Sequence, residues 1–135
     1  MPDNYIYSTT IGVRVSDINY GNHLGNDALV AILHEARIRF LHNMHYTELD
    51  VEGIGIIMSD LIVMYKSQVY HAENIRIDIA VTDFTRKTCD FYYRVHKSDE
   101  TIVAYAKTTI TFFDYKIQKA VGVPEQFINR VKQLP

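Results

Sequence analysis

The chain has 135 residues, 47% of them hydrophobic and 22% charged, with a formal net charge of −2. That length suits one domain, spanning residues 1–135, with one substantial core. The spread of Lys and Arg excludes a nucleic-acid partner. The single cysteine, Cys89, excludes an internal disulfide and fits a reducing compartment. The segment "MPDNYIYSTT" lacks the basic end and apolar stretch of a signal peptide, and no uncharged apolar run reaches the ~18 residues that a membrane helix needs. A cytoplasmic protein without membrane contact is expected.

From Tyr5 to Val15 the chain is rich in Tyr, Thr, Ile and Val, which predicts a strand. A polar stretch follows, "SDINYGNHLG", Ser16 to Gly25. Asn26 to Asn43, "NDALVAILHEARIRFLHN", reads as a helix with Leu29, Ile32, Leu33, Ala36 and Phe40 on one face. Ala28 to Leu33 are all apolar, so its first half should be buried on most sides. Asn26 or Asp27 can cap its N-terminus. "HYTELDVEGIG" is a connection with a short helical turn. Four strand-like runs come next: Ile56 to Ser67, Asn74 to Phe84, Lys87 to Lys97 and Thr101 to Asp114. Ile75, Ile77, Ile79 and Val81 alternate with Arg76, Asp78 and Thr82, and Cys89, Phe91, Tyr93 and Val95 alternate with polar neighbours. Such alternation predicts a sheet with one buried face. "KSDET" is a hairpin turn, and "VPEQFINRVKQL" a short C-terminal helix with Pro124 near its first turn. One strand, a long helix and four strands predict an α+β fold, with an antiparallel five-stranded sheet curled around the helix. The exposed edges of such a sheet favour a homo-oligomer.

The polar stretch, the helix signature Glu35-Ala36-Arg37 and the later runs "MYKSQVYHAENIRIDIAV" and "TFFDYKIQKAVGVPEQF" together resemble the hotdog-fold thioesterases of the 4-hydroxybenzoyl-CoA thioesterase type. The family pattern runs D-x-D-x-x-G-H-V-N-N before a helix carrying E-A-R. Asp17 fills its first acidic position, His23 the histidine and Asn26 the second asparagine. The resemblance covers nearly the whole chain and rests on the order and spacing of the motifs. It implies a hotdog fold and hydrolysis of an acyl thioester, carried on coenzyme A or on an acyl carrier protein, in a homodimer or homotetramer. It implies no resident cofactor.

Asn19 stands where the family usually has its catalytic carboxylate, and an amide is neither a base nor a carboxylate nucleophile. If the chain stays extended, Asp17 and Asn19 point to one side, which makes Asp17 the remaining carboxylate and Asn19 a holder of the carbonyl or the water. The alternative is that both only form Asx turns and cap the helix. His23 can orient the substrate or fix the loop through the backbone. The N–H near Asn26 is where the family places its oxyanion hole, and a helix N-terminus supplies free donors there. Glu35 is the second candidate carboxylate, against an i,i+4 ion pair with Arg39. Arg37 is a structural partner for a carboxylate. Lys66, Arg86 and Lys87 are candidates for the coenzyme A phosphates, and Tyr20 and Tyr65 for an acyl pocket.

Other motifs fall away. Cys89 sits on the apolar side of a strand as a core residue. His42 and His45 lack further spaced ligands, so no metal site is expected. "YGNHLG" is no phosphate loop, and no G-x-S-x-G elbow occurs. Two rival functions keep the fold. One is a non-catalytic acyl-thioester binding protein, for which Asn19 argues. The other is an enoyl-CoA hydratase, against which stand the spacing of Asn19 and His23 and Gly25 in place of an acid.

Overall fold

Tyr-, Thr- and Ile-rich segments form strands, and the long apolar-faced segment between them forms the helix that those strands enclose. The computed structural model describes all 135 residues. The elements are β1 (Tyr7–Gly12), α1 (Asn26–Asn43), β2 (Gly55–Tyr65), β3 (Asn74–Thr82), β4 (Thr88–Lys97), β5 (Ile102–Asp114), β6 (Lys119–Ala120) and α2 (Glu125–Lys132). The sheet is antiparallel with order β1-β3-β4-β5-β2, and the two-residue β6 adds to β5. Five long strands curl around α1 with a short C-terminal helix, the hotdog arrangement that the resemblance implies.

The core is one cluster between α1 and the concave sheet face. Leu29, Ile32, Leu33, Ala36 and Phe40 of α1 are buried, as are Ile75, Ile77, Ile79, Phe91, Tyr93 and Val95 of the sheet. Phe40 packs edge-to-face on both Tyr7 and Phe91. Each such side chain contributes about 1.5–3 kcal/mol by leaving water. Phe127 of α2 meets Tyr46, Phe84 and Phe112 and closes one end of the core. No helix is long and apolar enough to cross a membrane.

Several expectations need correction. The first half of α1 is less enclosed than its sequence implies: Ala31 is exposed and Ala28 and Val30 are half-buried. The connection after α1 has no helical turn. It makes two tight turns closed by bridges Thr47–Asp50 and Val51–Ile54, with Glu52 and Gly53 at positive φ. Asp78, assigned by alternation to the polar face, is 1% exposed. It accepts hydrogen bonds from Ser8, Arg76 and Arg94 and pairs with His96, at 2.8 Å from Arg94 Nη2 and 3.0 Å from His96 Nε2. Burial alone would raise its carboxyl. The bonds from Ser8, Arg94 and His96 outweigh burial and hold it below the ordinary carboxylate range.

A depressed carboxyl stabilises the fold above its unfolded pKa, near 4, and that stabilisation is lost as pH falls through the lower folded value. Asp78→Ala should therefore cost about 2–3 kcal/mol at neutral pH. That is below the ~3–5 kcal/mol of a fully buried broken pair, because Arg76 and Arg94 still reach water. Urea unfolding of both proteins at pH 7 and at pH 3 checks this; the difference should shrink at the lower pH.

Candidate active site

The polar stretch folds as a miniature hairpin. Ile18 bridges Leu24, Asn19 N–H donates to His23 O at 3.0 Å, and Asn22 takes the positive φ of its turn. Asn19 Oδ1 accepts from Gly21 N–H at 2.8 Å, an Asx turn. The base of the hairpin is clamped twice. Gly25 N–H donates to Asp17 O at 3.0 Å, and Leu24 N–H to Val69 O at 2.7 Å. These bonds fix the point at which α1 begins.

Asp17 and Asn19 do not share a side of an extended strand. Val15–Asp17 is a turn of 3-10 helix, because the Asp17 carboxylate folds back onto Arg14, accepting from its backbone N–H at 2.9 Å and its guanidinium at 3.4 Å. Asp17 is buried and Asn19 exposed. Both side chains are engaged in shaping the loop.

Neither Asn26 nor Asp27 caps α1 through its side chain. The N-cap is Gly25, which has no side chain to offer. Leu29 N–H reaches Gly25 O, but the N–H groups of Asn26, Asp27 and Ala28 find no acceptor in the chain. Three orphan donors thus stand at the positive end of an 18-residue helix.

The first of them, on Asn26, borders a cavity of about 340 Å³ lined by His23, Leu24, Gly25, Asn26 and Leu29 together with Tyr65, Lys66, Ser67, Gln68, Val69 and Val103. Tyr65 O–H donates to Asn26 O at 3.1 Å, tying the end of β2 to the start of α1. Burial and the nearby Asp27 carboxylate push the Tyr65 phenol up. His23 is half-buried, its Nδ1 3.5 Å from Leu24 O.

Of the sequence-derived residues, the cavity wall gathers His23, Asn26, Tyr65 and Lys66. Arg86 and Lys87 lie in the β3–β4 turn, at the opposite end of the sheet from Lys66, where their carbonyls accept from Val123 and Phe112 N–H. Tyr20 is fully exposed and lines no part of the cavity. Glu35 lies nine residues along α1, about 13 Å from its start, and its carboxylate takes Arg39 Nε at 2.8 Å, the i,i+4 pair weighed against a catalytic role. Arg37 pairs with Glu48 and donates to Tyr93 O–H at 3.2 Å. Sequence reasoning gave Asp27 only a capping role, yet it is exposed with no hydrogen bond or ion pair. The available signal was Gly25: the family pattern has asparagine there.

A family model of the thioesterase-like superfamily matches residues 13–131, so the chain belongs to that superfamily and is, in class, a thioester hydrolase. No match was found among curated proteins. Among solved structures, the chain is similar to a 1,4-dihydroxy-2-naphthoyl-CoA thioesterase from Synechocystis, with TM-score 0.85, 11% identity, and 95% of this chain and 96% of that chain covered. A DHNA-CoA thioesterase from Staphylococcus aureus gives TM-score 0.80 at 16% identity, covering 93% and 85%. Another Staphylococcus aureus protein, solved in complex with CoA, gives TM-score 0.82 at 15% identity, covering 100% and 89%. At these identities the structural likeness establishes the fold.

Proposed function

We propose that the protein hydrolyses an acyl-coenzyme A thioester to a carboxylic acid and free coenzyme A. The observation that carries this reading is the uncapped N-terminus of α1, open at Asn26 to a cavity of about 340 Å³. As water attacks the thioester carbonyl carbon, negative charge grows on the carbonyl oxygen. Fixed N–H donors at a helix N-terminus stabilise that charge without reorganising. Membership of the superfamily supports the reaction. Relatives in fold that act on a CoA thioester or hold CoA support the carrier. In this reading His23 borders the thioester and orients it through a ring nitrogen, and Lys66, at the cavity wall, meets a coenzyme A phosphate. Asp17 and Asn19 hold the loop that sets the donors.

Asn26→Pro tests the donors directly. Proline is favoured at the first helical position and deletes the Asn26 N–H along with its carboxamide, for which Asn26→Ala is the control, and Gly25 already has the extended conformation that a following proline requires. With melting temperature retained, kcat on acyl-CoA substrates should fall about 10²–10³-fold, the usual worth of one such donor. Unchanged kcat would remove the oxyanion hole from this place. Asn19, an amide where the family has its carboxylate, favours a second reading: binding of acyl-CoA with no release of thiol from the wild type would make the protein a non-catalytic acyl-thioester carrier.

We further propose that a second copy covers the β2 edge. β2 pairs only with β5, and along it Ile57, Met58, Ile62, Met64 and Tyr65 are exposed. An apolar edge strand with free backbone groups is a pairing surface. Tyr65 belongs to both this strand and the cavity, so the partner stands beside the site. Light scattering should give a homo-oligomer for the wild type and a smaller species for Ile62→Glu; a monomeric wild type at micromolar concentration would contradict it.

A further inference from the structure

The reaction needs a group to take a proton from water, and the residue at Asn19 cannot do so. We propose that Asp27 is the general base of the proposed hydrolysis, a carboxylate moved from the family's loop position to the first turn of α1. This rests on the thioesterase reading above.

The other carboxylates on or against the loop and α1 are paired with basic side chains. Asp17 is held by Arg14, Glu35 by Arg39, and Glu48 by His34 and Arg37. Asp27 is exposed and free of hydrogen bonds and ion pairs, one residue from Asn26 and itself the owner of one of the orphan N–H groups.

Its carboxylate stands beside Gly25, a residue of the cavity wall, while Asp27 itself lines a neighbouring hollow with Val30, Leu33 and Tyr115. A Cβ built on Gly25 would stand 2.8 Å from Asp27 Oδ1, closer than real Cβ atoms come. Glycine at this position is thus what leaves room for the Asp27 carboxylate in its present place. The same point lies 3.8 Å from Asn19 Cβ, so Asp27 and the family's carboxylate position flank one spot beside Gly25. Two departures from the family pattern, Asn19 for an acid and Gly25 for an asparagine, are accounted for together.

In the step, a water O–H bond breaks and its proton passes to Asp27. The water oxygen bonds the carbonyl carbon, and the carbonyl π pair moves onto the oxygen facing the orphan N–H groups. The tetrahedral species then collapses with cleavage of the C–S bond. The leaving thiolate takes the proton back from Asp27, giving the carboxylic acid and free thiol, with the carboxylate restored.

The experiment measures kcat, KM and the pH profile with an acyl-CoA panel and a thiol reagent on full-length wild type, Asp27→Asn, Gly25→Ala and the swap Asn19→Asp/Asp27→Asn. Melting curves confirm folding, since an exposed first-turn acid contributes little to stability. Asp27→Asn should lose about 10²–10⁴-fold in kcat with little change in KM, and the acid limb of kcat/KM against pH should vanish. Gly25→Ala should also lose kcat, because its methyl displaces the carboxylate. The swap should regain at least about tenfold over Asp27→Asn, since it returns a carboxylate to the other flank of the same spot. A folded Asp27→Asn protein with near wild-type kcat and an unchanged acid limb overturns the assignment and leaves the thioesterase reading standing. A wild type that hydrolyses none of the panel overturns that reading, and the assignment with it.

Discussion

A buried helix that starts on a glycine, with three N–H groups unanswered by the chain, is the constraint on which the site depends. Donors left without partners in a water-poor place cost free energy, of order 1–3 kcal/mol each when fully desolvated. The fold meets that constraint by keeping the helix mouth open to a cavity rather than covering it. The hairpin of Ile18 to Leu24, the Gly25–Asp17 and Leu24–Val69 hydrogen bonds and the Tyr65–Asn26 bond hold that mouth at a fixed distance from the end of β2. Preorganisation of this kind is what an oxyanion hole requires, because the donors need not move as charge develops.

The helix is held in turn by the curl of the sheet. Five antiparallel strands wrapped on one helix leave β1 and β2 as edges, and the two differ in character. β1 is rich in threonine and serine, while β2 carries a row of exposed aliphatic side chains. A register shift between Met58 and Asp60 adds a bulge to β2, which raises local twist. The cavity opens beside this apolar edge, and Tyr65 belongs to both.

Much of this was legible in the sequence wherever a period was strong. The helix Asn26–Asn43 agrees with its reading at both ends, because apolar residues at helical spacing lie between a polar loop and a turn. The strands carry clean alternation and differ from their readings by at most three residues at any end. What failed to be legible depends on tertiary partners. Alternation could not show that Asp78 is sealed beneath Ser8, Arg94 and His96. The supposed shared side of Asp17 and Asn19 failed because Arg14 draws Asp17 into a 3-10 turn, a contact invisible to a period-2 rule. Lys66 and the pair Arg86 and Lys87 are equally basic in sequence, and only the topology separates them by the length of the sheet. Gly25 looked like a loop residue, and its relation to Asp27 appears only when the distance between them is known.

The most direct measurement is a crystal structure with an acyl-CoA analogue in which a methylene replaces the thioester sulfur, leaving a ketone that cannot be hydrolysed. The account predicts the ketone oxygen about 2.7–3.1 Å from the N–H of Asn26 or Asp27, with the acyl carbon beside Gly25. A ketone bound away from the start of α1, with those donors facing another part of the ligand, would contradict it.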